Sequence, residues 1–342
     1  MTKKPLSEQV VVVTGASSGL GRAVARLAGM RGAKVVVTAR NAEALENAVS
    51  EIEAAGSEAL AVPADHTVQD EVEQVVEQAV DRFGRIDTYI ANAIVTVYAE
   101  TYRYEPDELR RVFDVNFFGT VYGFWSALPH LRESRGTFLH VSSALAYRGI
   151  PLQGAYCSSK AAARTFLESA RVEIEKQGWD VAVSLVLPGA TNTPQFDRDR
   201  QKIGYQPMPV PPIYQPEPFA DGVLHCCEDP IRELPLGWGA QKLLWGQKLS
   251  PRTGDLMLLN MGWKSQHTNE PKSVDSPDNL FETLPGDPGA HGRFDDKARK
   301  STVWTSLRLR RWLVGGAFAA AGMAVLSQRN GHQPRGIKKL VR

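Results

Sequence analysis

Between residues 10 and 195, short β-branched runs alternate with helix-like stretches of roughly a dozen or more residues, the rhythm of parallel strands joined by crossover helices. Strands are predicted at Val10–Thr14, Lys34–Ala39, Glu58–Ala64, Ile86–Ala91, Gly136–Ser142 and Val181–Leu187, in runs apolar enough for a sheet covered on both faces. Helices are predicted near 19–31, 41–55, 68–83, 106–133 and 155–177, the first opening on glycine and the second capped by Asn41. No solenoid-length repeat interrupts the pattern, so the expected class is α/β, a doubly wound parallel sheet.

Beyond Pro194 the rhythm breaks into a proline-dense stretch (Pro207, Pro209, Pro211, Pro212, Pro216, Pro218), followed by a short helix near 217–228 and a candidate last strand at Glu233–Trp238. Residues 264–300 are rich in Ser, Pro, Asp, Gly and Asn without periodicity, which reads as a linker. The expected organisation is a catalytic domain over 1–262 with a substrate lid near 194–216, a poorly ordered linker over 263–302, and a basic helix and tail over 303–342.

Composition narrows the picture. A chain of 342 residues, 43% apolar and with 3 cysteines, can bury a large core and has no disulfide framework. With a polar rather than apolar amino-terminal stretch, this favours a reducing cytoplasm over secretion. The net charge of +2 hides an asymmetry, because residues 297–342 hold 11 Lys/Arg and no Asp/Glu while the rest carries 29 basic and 38 acidic side chains, a balance of −9. An acidic body without interleaved basic and aromatic residues argues against nucleic acid as a partner.

The first candidate chemistry is Thr14-Gly15-Ala16-Ser17-Ser18-Gly19-Leu20-Gly21, directly after the first strand. Glycines there let the backbone turn tightly and approach a pyrophosphate, while the following helix presents N–H groups and its positive dipole end; a tight turn without a ligand is the alternative. The second strand ends Val37-Thr38-Ala39-Arg40 with no acid to accept from a ribose 2′-OH. Arg40 is placed instead for a 2′-phosphate, the alternative being a solvated arginine at a loop start. Asp65 suits an adenine edge or, equally, a cap or turn.

Ser142-Ser143 precedes Tyr156-Cys157-Ser158-Ser159-Lys160. Positions i and i+4 share a helix face, so Tyr156 and Lys160 point together, and an adjacent ammonium favours the phenolate of a tyrosine whose ordinary pKa is about 10. The pair is a proton-transfer group for a carbonyl or alcohol. Ser143 can hydrogen-bond the same substrate oxygen, with Ser142 as the competing choice.

Over about residues 7–240 the sequence resembles the short-chain dehydrogenase/reductase family, matching in order TGASSGLG (14–21), Asp65, Ala91-Asn92-Ala93, Asn116 in Val115-Asn116-Phe117-Phe118-Gly119, the serine pair, Tyr156 to Lys160, and Pro188-Gly189 followed by Thr193. The resemblance implies a Rossmann fold with Tyr156 as acid/base and Ser143 polarising the substrate oxygen. It further implies that Lys160 binds the nicotinamide ribose and lowers the tyrosine pKa, and that Asn116 holds a water in a proton relay. Cofactor contacts carried over are Gly15, Ser17, Ser18, Gly19, Leu20, Gly21, Asn92, Pro188, Gly189, Thr191 and Thr193, with Arg40 favouring NADP(H) over NAD(H). One position departs: the family's Asn-Asn-Ala-Gly turn is Ala91-Asn92-Ala93-Ile94 here.

Phe196, Ile203, Tyr205, Met208, Val210, Ile213 and Tyr214, with Leu145, Tyr147, Ile150 and Leu152, flank the expected cleft and favour an apolar carbonyl or alcohol substrate, though the same residues could pack on each other as lid core. No cysteine or histidine has metal-ligand spacing, and His225-Cys226-Cys227 reads as buried filler. Two function classes follow: an NADP-dependent oxidoreductase, supported by the serine, tyrosine and lysine, and a non-catalytic nucleotide-binding sensor or scaffold. The tail adds a membrane expectation. Trp312 to Leu326 is an uncharged run flanked by arginines and lysines, about 22 Å as a helix against roughly 30 Å of hydrocarbon, which suits an anchor that dips into an anionic leaflet or spans a thinned one, the alternative being a helix packed on the body or on a dimer partner. Small residues at four-residue spacing (Gly315, Ala319; Gly316, Ala320) would let that helix pair with a copy of itself, and a homodimer or homotetramer is the expected assembly.

Overall fold

The structure, a computed structural model, describes residues 2–302 and Thr305; the expected anchor helix within 303–342 otherwise lies outside the described residues. In chain order the elements are β1 (Val10–Thr14), α1 (Gly19–Met30), β2 (Lys34–Ala39), α2 (Ala42–Ala54), β3 (Ala59–Pro63), α3 (Gln69–Phe83), β4 (Thr88–Ala91), β5 (Val97–Tyr98), α4 (Pro106–Phe113), α5 (Gly119–Ser134), β6 (Thr137–Val141), α6 (Gly154–Lys176), β7 (Ala182–Pro188), α7 (Gln195–Arg198), β8 (Arg200–Gln201), β9 (Tyr205–Pro207), α8 (Glu217–Glu228), β10 (Glu233–Leu236), α9 (Trp238–Leu249), α10 (Pro251–Met261) and β11 (His267–Pro271). Seven strands form one parallel sheet in the order β3-β2-β1-β4-β6-β7-β10. The order reverses at β1, and the crevice beyond the carboxyl ends of β1 and β4 is where a doubly wound sheet takes a ligand.

The valine runs explain the layers, because successive side chains of a strand leave opposite faces. Val11, Val13, Val35 and Val37 pack with Ala23 and Val24 of α1, Leu45 and Ile52 of α2, and Phe219 and Val223 of α8. Val12, Val36, Tyr89 and Phe138 pack instead with Val75 of α3, Phe124 of α5 and Leu167 of α6. Cys226 and Cys227 of α8 are buried in the first of these layers.

Three departures from the sequence reading matter for function. The single helix expected over 106–133 is interrupted at Asp114–Phe118, which is wound as a π-helical turn. Residues 238–261 form the helical hairpin α9–α10, which the irregular mix of Gly, Lys and exposed apolar residues did not disclose; Trp245, Leu249, Leu256, Met257, Leu259 and Met261 face solvent. The segment expected as a linker over 263–302 is instead docked on the body. β11 pairs antiparallel with β9, Leu280 is fully buried beside Val95, Val97, Val112 and Val115, and Phe294 stacks edge-on against Phe196. It lacks periodicity because it is held by backbone carbonyls and two separated apolar pegs rather than by a continuous apolar face.

Candidate active site

A cavity of about 450 Å³ runs along the crevice from Gly15, Ser17, Ser18, Gly19 and Leu20 at one end to Met208, Leu243 and Leu258 at the other. The loop at the first end is built by sterics. Gly15 and Gly19 adopt φ of +63° and +58°, and a Cβ on Gly21 would lie 2.3 Å from the Gly15 carbonyl oxygen, so the helix can approach its strand only without side chains here. Ser18 at the amino terminus of α1 makes no side-chain cap, and the helix dipole opens toward the cavity. Thr14, whose side chain the sequence reading gave no role, fixes the opposite wall: its Oγ1 accepts from Asn92 N at 2.8 Å and Ala93 N at 2.9 Å. Asn92 Nδ2 returns a hydrogen bond to Thr14 O at 2.9 Å. Ile94 follows and lines the cavity.

At the middle of the cavity stand Ser143, Tyr156 and Lys160. Burial pushes the Tyr156 hydroxyl up from its ordinary range, and a hydrogen bond from Ser143 opposes this. Ser143 is therefore the serine beside the tyrosine, whereas the buried Ser142 hydroxyl has no hydrogen-bond partner among the described residues. Lys160 is 1% exposed, donates to Val141 O at 2.7 Å, and burial alone brings it down to about 7. Its Nζ lies 6.0 Å from the Tyr156 ring centroid. The expected lowering of the tyrosine pKa by this ammonium is not what the structure gives: burial of the phenol dominates and raises it, and the opposing influence is the Ser143 hydrogen bond. His140, on β6, is kept neutral by burial first and Lys160 second.

Asn116 does not face the cavity. Its side chain clamps one backbone residue at both ends, accepting from Val95 N at 2.9 Å and donating to Val95 O at 3.0 Å, with a further bond to Ser159 Oγ at 3.0 Å. It holds the β4 exit loop against α6. Asp65 lines the cavity, but its carboxylate closes a turn with Thr67 and pairs with Arg111 at 2.7 Å. Burial acts against its ionisation, and the Arg111 and Thr67 hydrogen bonds more than offset this, holding it below its ordinary pKa. Arg40 also has partners absent from the sequence reading: Nη1 donates to Phe281 O at 2.7 Å and Nη2 to Asn279 O at 2.5 Å. Two of five guanidinium donors are thus used, and burial followed by Arg111 lowers its pKa, an electropositive setting that favours an anion.

Pro188, Gly189, Thr191 and Thr193 line the wall between the loop and the apolar end, with Thr191 Oγ1 donating to Gly189 O at 3.1 Å. Of the apolar candidates, Leu145, Ile150, Phe196, Met208, Val210 and Tyr214 line the cavity. Ile203, Tyr205, Tyr147, Leu152 and Ile213 do not; Tyr205 stacks on His267 and Tyr147 on Arg164. Val95, Tyr98, Leu243 and Leu258 complete the apolar end. Tyr98 is pushed well up by burial and then by Asp199, a carboxyl itself buried and held well above its ordinary range by desolvation.

A glycine loop, a strand-end serine and a tyrosine with a buried lysine one helical turn on, set at the crossover of a doubly wound sheet, define a nucleotide-binding oxidoreductase. The short chain dehydrogenase family model matches residues 9–204, and the chain belongs to that family. An uncharacterized oxidoreductase, YxnA of Bacillus subtilis, is 34% identical over 94% of this chain and 90% of its own length. Versicolorin reductase of Emericella nidulans is 37% identical over 56% of this chain and 72% of its own. Among solved structures, an alcohol dehydrogenase from Thermococcus sibiricus complexed with 5-hydroxy-NADP superimposes with a TM-score of 0.59 at 26% identity, covering 67% of this chain and 94% of that one. A 3-ketoacyl-(acyl-carrier-protein) reductase from Brucella melitensis complexed with NADH gives 0.60 at 26% identity, covering 68% and 97%.

Proposed function

We propose that the protein transfers a hydride between NADP(H) and the carbonyl or alcohol group of an apolar substrate, with Tyr156 as the acid/base. The observation that carries this reading is the Tyr156–Ser143 hydroxyl pair on the wall of one cavity that joins the glycine loop to an apolar end. The residues fit a dinucleotide. The loop would be filled by any Cβ at Gly21, and buried Lys160 uses one of three donors, leaving two for ribose hydroxyls. Bound nicotinamide would supply or accept the hydride. Ser143 holds the substrate oxygen while Tyr156 Oη gives it a proton in the reducing direction or takes one in the oxidising direction, and the apolar residues around Met208 and Leu258 exclude water from that oxygen. Mixing the protein with NADPH and a panel of apolar ketones, and following absorbance, tests the reading; no oxidation of NADPH with any of them would count against it.

Preference for NADP(H) rests on Arg40 and on Ala39, where an acid would otherwise accept from the 2′-OH. Arg40→Ala is expected to weaken NADP(H) binding by about ten- to a hundredfold, the loss of one charge-assisted phosphate contact of roughly 1.5–3 kcal/mol, and to leave NAD(H) affinity nearly unchanged. Equal affinity of the unaltered protein for both dinucleotides, measured by titration, would sink the preference.

Residues 303–342 hold this otherwise cytoplasmic protein at a membrane surface in our reading. Among the described residues no helix is long and apolar enough to cross a bilayer. Support comes from where the tail departs. Thr305 Oγ1 accepts from Gly237 N at 3.1 Å, which puts the start of the tail at the base of the α9–α10 hairpin and its exposed Trp245, Leu249, Leu256 and Met257. Full-length protein is expected in the membrane fraction and a version ending at Lys300 in the supernatant. Both in the supernatant at low salt would refute the anchor.

A further inference from the structure

The nucleotide end of the cavity has an outer wall that belongs to no part of the glycine loop. Asn279, Thr283 and Pro288 line the same cavity as Gly15 to Leu20. These residues sit on a strap, 278–292, fastened across the crevice by arginines from five places in the chain. Arg200 pairs with Asp278 at 2.8 Å, Arg40 takes the Asn279 and Phe281 carbonyls, and Arg111 donates to Leu280 O at 3.1 Å. Arg198 donates to Leu284 O at 2.8 Å, and buried Arg22 meets Asp287 at 3.3 Å. Asn41 Nδ2 adds Leu284 O and Gly286 O, and Gly19 N, at the first turn of α1, donates to Gly289 O at 3.0 Å.

The strap is attached so that it can lift. Its apolar pegs, Leu280 and Phe294, are buried at either end, and no residue from 281 to 293 is. Within that span Gly286 and Gly289 have φ of +78° and +65° in open space, on either side of Asp287 and Pro288. Opening the middle therefore exchanges hydrogen bonds to carbonyls and the Arg22–Asp287 ion pair for contacts with water, and uncovers little apolar surface. Meanwhile Arg40 and the amino terminus of α1, the groups that would face phosphate oxygens, are bridged to each other through this one segment.

We propose that residues 278–292 are a clasp over the phosphate-bearing half of the dinucleotide site: the strap lifts to admit the dinucleotide and closes on it, so that strap opening sets the rate of its release. The inference rests on the dinucleotide reading above and adds to it a binding element outside residues 9–204, where the family model matches. Hydrogen exchange on the full-length chain with and without saturating NADP⁺ tests it. Peptides spanning 281–293 are expected to exchange at least about tenfold more slowly when NADP⁺ is bound. Protection of the 15–21 loop without protection of the strap overturns the clasp and keeps the dinucleotide reading, whereas protection of neither overturns both. Asp287→Ala, which removes the strap's ion pair to Arg22 while leaving that arginine bonded to Glu51, is expected to raise both association and dissociation rates of NADPH, measured by stopped-flow fluorescence, by about tenfold. Unchanged rates in a variant whose strap exchanges faster than that of the unaltered protein overturn the proposal.

Discussion

Replacing Tyr156 by phenylalanine is expected to lower turnover by at least about a hundredfold, the usual range for removing a positioned acid/base, while dinucleotide affinity stays within about a factor of two. Only one oxygen is deleted, and the ring keeps its place in the helix face it shares with Lys160. The same change leaves Ser143 with the Leu145 N–H, which it already accepts at 3.1 Å, so the loop after β6 keeps its local anchor. The pH profile gives a second readout. Because burial holds the phenol above its ordinary range, oxidation of an alcohol, which needs Tyr156 to accept a proton, is expected to speed up as pH rises, and carbonyl reduction to slow. Wild-type rates in the Phe variant, on a substrate found by screening, would show that the proton comes from elsewhere.

Lys160→Met is expected to make the protein more stable at neutral pH and inactive. The folded protein holds this ammonium near 7 rather than the ordinary 10.5, so the unfolded chain binds the proton more tightly. The destabilisation is fully present below about pH 7 and disappears as pH rises toward 10.5, where both states are neutral. At 1.36 kcal/mol per unit the shift corresponds to roughly 5 kcal/mol, from which the lost bond to Val141 O subtracts about 1 to 3. A net gain of a few kcal/mol in urea unfolding at pH 7, shrinking by pH 10, is the expected result. Equal stability of variant and wild type at pH 7 would show that the ammonium is not strained by its burial. A gain in stability together with loss of activity would mark Lys160 as a residue kept for function at a cost in stability.

Much of this was readable in the chain because the physics is local. Val10–Thr14 and Lys34–Ala39 are strands to the residue in both readings, since an unbroken β-branched run has few other places to go. Tyr156 and Lys160 follow from a four-residue spacing. What stayed hidden depends on partners far apart in sequence. Arg40 looks like a free arginine at a loop start, and nothing near it announces carbonyls about 240 residues away. The strap has no apolar period because its hydrogen bonds come from its own backbone, which every sequence possesses. Asn116 stands in the right motif, yet its side chain is turned to Val95 by a feature that composition does not report.

That feature is the π-helical turn at Asp114–Phe118. A turn of this kind carries one residue more than an α-helical turn, with looser backbone geometry, and is weaker as a helix. Removing a single residue there would let α4 and α5 fuse into one regular helix of higher intrinsic stability. A turn with i→i+5 spacing advances roughly 80° per residue, so its five residues turn the chain through about 400°, the angle that four residues cover at 3.6 per turn. Removing one of them would leave α4 and α5 in phase and Phe124 still facing Phe138, a contact at 5.2 Å that fixes α5 on the sheet. Asn116, inside the turn, would lose the local winding that aims it at Val95. The extra residue works as a local bulge that serves the rim of the cleft without disturbing the register of the core. Loss of one residue is therefore expected to be better tolerated within 114–118 than in the regular turns of 119–134, where it would rotate the rest of the helix by about 100°.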